Sequence, residues 1–176
     1  ARWARGIAYI PEDRLGEGLI PAFTITDNAA LRDYTRPPLS RGPFLIRREA
    51  RAKAAQIIAR FRVRARDPNV AVRTLSGGNQ QRLLVGRETA ARPRVLVAMH
   101  PTRGLDIDAT AAVHRIFLDL RAAGAAIVLI SESLDELFAI SDRVAVVHRG
   151  RIVGERPARA ALREEIGLLM AGGVAA

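Results

Sequence analysis

The chain has 176 residues, of which 49% are hydrophobic and 26% charged, and this composition supplies enough apolar side chains for a globular core. It contains no cysteine, which excludes disulfides and thiolate metal sites, and its three histidines show no metal-ligand spacing, so we expect no metal ion held by protein ligands. The sequence has neither an apolar run of membrane-spanning length nor a signal-like segment, and we expect a soluble, cytoplasmic polypeptide.

The formal net charge of +10 is concentrated in one segment. Residues 36–66 contain ten basic residues against a single acidic one, Glu49, which gives this segment a net charge of +9. A solvated helix face is the simplest interpretation, and the anionic leaflet of a membrane or nucleic acid are the alternatives. The membrane is favoured over nucleic acid, because no aromatic residues lie among the arginines between Arg47 and Arg60 to stack on bases.

A strand and a short helix are predicted near the start of the chain. Gly6–Pro11 is a short apolar run ended by proline, which predicts a strand, and Glu12 follows it into a glycine-broken loop. Thr26 or Asp27 is expected to cap a short helix that runs through Tyr34.

A longer amphipathic helix is predicted from Arg47 onward. Its apolar positions recur at helical spacing with arginines between them. These positions are Ala50, Ala54, Ile57, Ile58 and Phe61.

The segment Leu75–Arg82, LSGGNQQR, combines a serine and two glycines with a helix-forming run. Consecutive glycines let the backbone approach a phosphate closely, and the free N–H groups and dipole of a helix N-terminus favour an anion. The segment therefore predicts a phosphate-binding turn at Ser76, Gly77, Gly78 and Asn79. The alternative is a serine N-cap with flexible glycines before an ordinary helix.

The segment Val95–Asp106, VLVAMHPTRGLD, predicts a buried strand that delivers a loop to its carboxyl end. A helix is expected from about Asp108, with Gly124 as its stop. Asp106 and Asp108 are either paired acid/base carboxylates or helix-capping groups, and capping is the better explanation.

The remainder of the chain predicts a strand, a helix, a β-hairpin and a terminal helix. The predicted bounds are Ala126–Ile130 for the strand, Ser133–Ile140 for the helix with its capping box, Val144–Val147 and Ile152–Glu155 for the hairpin, Ala158–Met170 for the last helix, and Gly172–Ala176 for a frayed tail.

In this order and spacing, the motifs resemble the nucleotide-binding half of an ATP-binding cassette (ABC) transporter, and LSGG followed by Gln80-Gln81-Arg82 is similar to the family's signature. The resemblance covers nearly the whole chain. It implies an α/β fold, namely that of a P-loop NTPase with an ABC-type nucleotide-binding domain. The implied domain lacks the N-terminal P-loop lobe and carries a helical subdomain before the signature. The implied division is residues 1–14 for the end of the core lobe and a Q-loop-like segment, 15–92 for the helical subdomain ending in the signature helix, 93–157 for the C-terminal half of the core, and 158–176 for the C-terminal helix and tail.

The sequence departs from the family at four catalytic positions. Glu12 stands where the Q-loop has glutamine, and it either keeps that role in altered form or is a polar turn residue. Met99 and His100 stand where the family has the aspartate and glutamate that serve magnesium and the attacking water. Glu132 replaces the switch histidine, and the only lysine, Lys53, lies within a helix and cannot serve a P-loop. The resemblance therefore implies no intact catalytic group in the chain's own site.

The pattern is similar to the second cassette of fused, two-cassette ATPases that import simple sugars or nucleosides. In such a protein this part would contribute its signature in trans to ATP, held with Mg²⁺ mainly by the partner cassette. The implied ATP-binding residues in trans are Ser76, Gly77, Gly78, Asn79 and Gln80. The implied D-loop is Gly104, Leu105 and Asp106.

The implied partners are another cassette, in the same polypeptide or a dimer, transmembrane permease subunits and, indirectly, a solute-binding protein. The implied location is the cytoplasmic face of the inner membrane, as a peripheral subunit. The alternatives are a non-transport ABC ATPase acting on nucleic acid or ribosomes, and a fragment with a purely structural role. The chain opens Ala-Arg-Trp rather than with Met, so we expect a part of a longer protein, and we expect it to be inactive in isolation.

Overall fold

The computed structural model describes residues 5–172, which belong to two compact units, Ala1–Ile130 and Ser131–Ala176. The first unit contains β1 Ile7–Ile10, α1 Ile25–Ala30, β2 Ser40–Arg41, β3 Phe44–Leu45, α2 Arg47–Phe61, α3 Gly77–Ala90, β4 Val95–Met99, α4 Ile107–Ala122 and β5 Ala126–Ile130, with a π-helical turn at Arg14–Gly18 and a 3-10 turn at Val72–Thr74. The second contains α5 Leu134–Ile140, β6 Arg143–His148, β7 Arg151–Pro157, a 3-10 turn at Ala160–Leu162 and α6 Arg163–Met170. The finer division at residues 14, 92 and 157 stays a prediction.

A parallel sheet in the order β1, β4, β5 lies at the centre of the first unit. Ile10 of β1 pairs with Ala98 of β4, and Met99 of β4 pairs with Ile130 of β5. Leu96 and Ala98 are fully buried, because α3 packs near β1 and α4 packs near β5. Since all three strands run in the same direction, their carboxyl ends meet at one edge of the sheet, where the loops that carry polar groups emerge.

Helices α2 and α3 cross at close range in the helical part of this unit. The predicted amphipathic helix is confirmed by α2, which buries Ala50, Ala54, Ile57 and Phe61. A Cβ atom on Gly86 of α3 would lie 2.8 Å from side-chain atoms of both Ile57 and Phe61. The absence of a side chain at this glycine therefore lets the α2 face pack directly on the α3 backbone.

The first helix differs from the prediction at both ends. Thr24 caps α1, its hydroxyl accepting a hydrogen bond from the Asp27 N–H at 3.0 Å, so neither Thr26 nor Asp27 is the cap. The helix ends at Ala30 rather than at Tyr34. Thr26 is not the cap for a tertiary reason, because its side chain is buried and its hydroxyl donates to a backbone carbonyl more than forty residues away in sequence.

In the second unit, the predicted short helix and hairpin are both confirmed. Ser133 caps α5, its hydroxyl accepting from the Glu136 N–H at 3.3 Å. Strands β6 and β7 are antiparallel and are joined by Arg149 and Gly150. Both turn residues have positive φ, 48° and 76°, which matches the twist that two-residue hairpins require.

The last helix begins later than predicted. Helix α6 starts at Arg163 rather than at Ala158, because a 3-10 turn at Ala160–Leu162 precedes it. The predicted frayed tail lies, apart from its first residue Gly172, outside the described residues. No helix within residues 5–172 combines the length and apolar character needed to cross a membrane.

Candidate nucleotide-binding site

The LSGG segment forms a turn whose backbone N–H groups are not capped by its own serine. Ser76 adopts an extended conformation and α3 begins at Gly77, but the Ser76 hydroxyl makes no capping bond. It accepts instead from the Asn79 side-chain amide at 2.8 Å, and Asn79 Oδ1 accepts from the Arg64 N–H at 2.7 Å. The first-turn N–H groups, which lack intrahelical partners in any α-helix, therefore remain available to an anion.

Two buried glutamines fix this turn from the inside. Gln80 Nε2 donates to the carbonyls of Leu75 at 3.0 Å and Val72 at 3.3 Å. Gln81 Nε2 donates to the Pro101 carbonyl at 2.8 Å. Both side chains are at most 5% exposed, so Gln80 points into the protein and positions the turn.

The D-loop-like residues pack against the start of α3. A Cβ atom on Gly78 would lie 3.6 Å from Leu105 Cδ2 and 3.9 Å from the Gly104 carbonyl oxygen. Arg82 Nη2 lies 3.4 Å from Asp106 Oδ2, and the other oxygen of Asp106 accepts from the α4 backbone at 2.7 Å. The structure thus brings the predicted signature and D-loop together, and it shows Asp106 as the N-cap of α4.

A guanidinium group lies beside the signature glycine. A Cβ atom on Gly77 would be 2.9 Å from Arg14 Nη2. Asp13 caps the π-helical turn that carries Arg14, accepting from the N–H groups of Leu15 and Gly16 at 3.2 and 2.9 Å. Arg14 therefore adds positive charge next to the turn that the sequence predicts to bind phosphate.

The carboxyl edge of the sheet carries three of the predicted degenerate positions. The Tyr9 hydroxyl donates to Met99 Sδ at 3.1 Å, and the His100 N–H donates to the Ile130 carbonyl at 2.9 Å, with His100 at a φ of 44°. Glu12 forms an exposed ion pair with Arg103. Glu132, the fourth degenerate position, lies in the second unit and is exposed.

A buried charge network anchors the signature helix. Glu88 Oε1 accepts from Arg87 Nε at 2.8 Å and from Arg32 Nε at 2.9 Å, while Arg87 Nη2 donates to the Gly18 carbonyl at 2.6 Å. Burial lowers the pKa of the Arg87 guanidinium, and the adjacent Glu88 carboxylate opposes that shift. The network ties α3 to the end of the π-helical turn that carries Arg14.

The two parts of the site differ in what they can hold. The glycine-rich turn, with free N–H groups and a guanidinium nearby, fits a terminal phosphate of ATP. The sheet edge does not fit Mg²⁺, because this cation prefers oxygen ligands, Met99 offers a thioether and the Glu12 carboxylate is engaged by Arg103. Among the residues that the structure describes, no three His, Cys, Asp or Glu side chains converge on a metal position.

A parallel α/β sheet, with a glycine-rich helix start packed on a Gly-Leu-Asp loop, defines the class of an ATP-binding cassette. A family model described as "ABC transporter" matches residues 1–103. The chain therefore belongs to the ABC transporter family.

Curated relatives share this sequence over most of its length. They include the nucleoside import ATP-binding protein NupA of Lactococcus lactis subsp. cremoris, 37% identical over 96% of this chain, and the guanosine import ATP-binding protein NupO of Bacillus subtilis, 41% identical over 95%. A third is the ribose import ATP-binding protein RbsA 1 of Rubrobacter xylanophilus, 38% identical over 98%. The matched region spans 33%, 33% and 34% of these relatives, so the chain has about one third of their length.

Solved structures show the same fold. The dimeric post-hydrolysis structure of the ATP-binding cassette MJ0796 with ADP and Pi matches with a TM-score of 0.72 and 21% identity, covering 88% of this chain and 63% of that one. A second dimeric structure of MJ0796, a bacterial ABC transporter cassette, matches with a TM-score of 0.72 and 22% identity over the same shares. The predicted fold class is confirmed.

Three arginines that the structure brings to the site are not among the predicted site residues. Arg14 lies beside Gly77, Arg103 pairs with Glu12, and Arg87 joins α3 to the segment after Arg14. Arg14 and Arg103 each lie close in sequence to a quoted motif residue, which is a signal that could have found them. Arg87 has no such signal, because nothing local in the sequence indicates that its partner is the carbonyl of Gly18.

Proposed function

We propose that the chain is part of the second cassette of an importer ATPase for simple sugars or nucleosides, and that its signature closes on ATP held by a partner cassette. In this proposal its own site is degenerate and the partner cassette holds ATP and Mg²⁺. The permease subunits provide the membrane passage, and a solute-binding protein delivers the substrate to them.

The observation that carries the proposal is the geometry of the signature turn. Gly77 and Gly78 carry no side chain of their own at the helix start, Ser76 is exposed, and the two glutamines that follow are committed to holding the turn. A ligand that reaches this surface meets N–H groups, the positive end of a helix dipole and the Arg14 guanidinium. Each of these groups favours an anion such as the γ-phosphate of ATP.

The proposal that the chain's own site is degenerate is supported by the chemistry of the sheet edge. A catalytic base has to accept a proton from the attacking water, and a magnesium ligand has to offer oxygen. Met99 does neither, His100 lacks the neighbouring carboxylate, and the carboxylate of Glu12 forms an ion pair with Arg103. The substrate class is supported by the names of the relatives, which import nucleosides, guanosine and ribose.

The test is Gly77→Asp in the complete transporter, assembled with its permease. The new carboxylate would lie at a helix N-terminus beside Arg14, both of which stabilise it, so we expect folding and assembly to persist. It would also occupy the phosphate position and repel the γ-phosphate. We expect substrate-stimulated hydrolysis to fall by at least about a hundredfold while ATP still binds to the partner cassette.

The matched control is Gly167→Asp in α6, where an added Cβ meets nothing within 4 Å. We expect the control to hydrolyse ATP at the unmodified rate. Nucleotide binding, assembly and steady-state hydrolysis are measured on the same purified complexes. Undiminished hydrolysis by a normally assembled Gly77→Asp transporter would show that LSGG here is only a helix start.

A further inference from the structure

The β2–β3 hairpin of the first unit presents one cross-strand pair inward and one outward. Ser40 pairs with Leu45, and Arg41 pairs with Phe44. Ser40 is buried, and Leu45 packs on a small core cluster that includes Leu39. Because successive residues of a strand point to opposite faces, the second pair, an arginine beside a phenylalanine, faces away from this core.

The outward phenylalanine is unusually exposed for a large apolar side chain. Phe44 is 74% exposed, and the turn that precedes it, Gly42-Pro43, is also exposed. A Cβ atom on Gly42 would meet nothing within 4 Å, so the tip of the hairpin projects into open space. The described fold gives this aromatic ring no contact that explains its presence.

Three arginines follow the ring closely in sequence. Strand β3 leads into α2 through a single residue, and the first turns of α2 carry Arg47, Arg48 and Arg51, which are neighbours at helical spacing. The Arg47 and Arg48 side chains are 72% and 89% exposed even though each has an acidic neighbour. Within residues 5–172, no acidic side chain pairs with Arg41 or Arg51.

We propose that Arg41, Phe44, Arg47, Arg48 and Arg51 form a membrane-contact patch that docks on anionic lipid headgroups. An aromatic ring flanked by cations suits the boundary between headgroups and acyl chains, because the ring enters the apolar side while the guanidinium groups bind phosphates. A nucleic-acid surface would require several aromatic platforms or a basic groove, and this patch offers one ring on a protruding tip. The inference concerns a surface remote in sequence from the signature and does not depend on the ATP role proposed above.

The test uses the 176-residue chain and protein-free vesicles. One set contains equal parts of phosphatidylglycerol and phosphatidylcholine, and the other contains phosphatidylcholine alone. We expect co-sedimentation with the anionic vesicles, weakening as salt is raised because counterions screen the arginines, and at least about tenfold weaker binding to the neutral vesicles. Because these vesicles contain no permease, binding cannot be attributed to a protein partner.

Two double variants distinguish binding through the patch from attraction due to the overall positive charge of the chain. Arg41→Gln with Phe44→Ala removes one cation and one large apolar side chain from the tip, and Arg115→Gln with Leu118→Ala removes the same types from exposed positions of α4. We expect the tip variant to lose at least about fivefold in vesicle affinity, and the α4 variant to stay within about twofold. Circular dichroism melting of both variants checks that each is folded.

A third variant keeps the proposal testable if the tip variant unfolds. Phe44→Trp, made in a Trp3→Phe background, places the only tryptophan of the chain at the hairpin tip. We expect its fluorescence to shift to shorter wavelength on anionic vesicles and to be quenched by brominated lipid. The proposal would be overturned by equal binding to both vesicle types, by equal losses in the two double variants or by the absence of quenching. It would also be overturned if a DNA duplex displaced the protein from the vesicles by binding through the same residues.

Discussion

The signature helix and the carboxyl edge of the sheet lie in the same unit but are held by opposite kinds of contact. On α3, Glu88 is fully buried between Arg87 and Arg32, and the glutamine amides that fix the turn are buried as well. At the sheet edge, the ion pair between Glu12 and Arg103 is exposed to solvent. Buried partners define a geometry strongly, because an unpaired buried charge is costly, whereas exposed pairs define it weakly.

This difference fits the roles proposed for the two regions. In the function proposed above the signature acts through backbone N–H groups, so it depends on a rigid turn, and the buried contacts of α3 hold that turn. The resemblance to the family implies a sheet edge that acts through side-chain carboxylates, and Met99 and His100 do not supply them. We therefore expect substitutions to have large effects where the buried contacts lie and small effects at the edge.

The largest effect on stability is expected for Glu88→Ala. This change leaves the buried Arg87 and the partly exposed Arg32 without their shared carboxylate, and breaking a buried pair such as Arg87–Glu88 costs about 3–5 kcal/mol. Urea unfolding of the chain measures the loss. The control is Glu164→Ala on the exposed surface of α6, for which we expect a change within about 0.5 kcal/mol. Equal values for the two variants would show that the network does not anchor α3.

A much smaller effect is expected for Arg103→Gln. Its ion pair with Glu12 joins side chains that are 71% and 45% exposed, so solvent screens the attraction and we expect a loss of less than about 1 kcal/mol. The same unfolding experiment, repeated at high salt, measures it. A loss as large as that of Glu88→Ala would contradict the contrast between the two regions.

The smallest effect on turnover is expected for His100→Ala and Met99→Ala in the assembled transporter. If the site at this edge is silent, ATP hydrolysis should stay within about threefold of the unmodified rate, since removal of a working base costs about a hundredfold or more. Steady-state hydrolysis with saturating ATP is the measurement. A hundredfold loss for His100→Ala alone would identify this histidine as a base and show that the site is active.

Local patterns in the sequence were sufficient for most of the fold. Strand β5, the helix α2 and the Ser133 cap follow from apolar spacing and capping chemistry within a few residues, and the structure has them where they were predicted. Among the predicted bounds that failed, one did so because of a distant partner and one because of a local turn. Thr26 is withdrawn from the cap position by a bond to a remote carbonyl, and α6 is preceded by a 3-10 turn that periodicity does not distinguish from an α-helix.

The candidate site could be predicted as motifs but not as contacts. LSGG and PTRGLD located the turn and the loop, while the packing of Gly78 on Leu105 and of Arg14 beside Gly77 joins residues far apart in sequence. The orientation of Gln80 also could not be predicted from the motif. Its place in the motif suggested a ligand contact, whereas its amide is committed to the carbonyls of the preceding turn. The participation of these residues in ATP binding stays a prediction.

The central claim, that the signature closes on ATP held by a partner, is tested most directly at Ser76. These 176 residues contain no cysteine, so Ser76→Cys introduces their only thiol, at an exposed position of the turn, and Ala122→Cys at the exposed end of α4 is the control; any cysteine elsewhere in the transporter is first replaced by serine. The rate of maleimide modification is measured in the assembled transporter with and without a slowly hydrolysed ATP analogue and Mg²⁺. We expect nucleotide to slow modification at position 76 by at least about tenfold, which corresponds to closure of roughly nine molecules in ten, with no change at position 122 or in the isolated chain. Unchanged modification at position 76 in a transporter that binds the analogue would contradict the account.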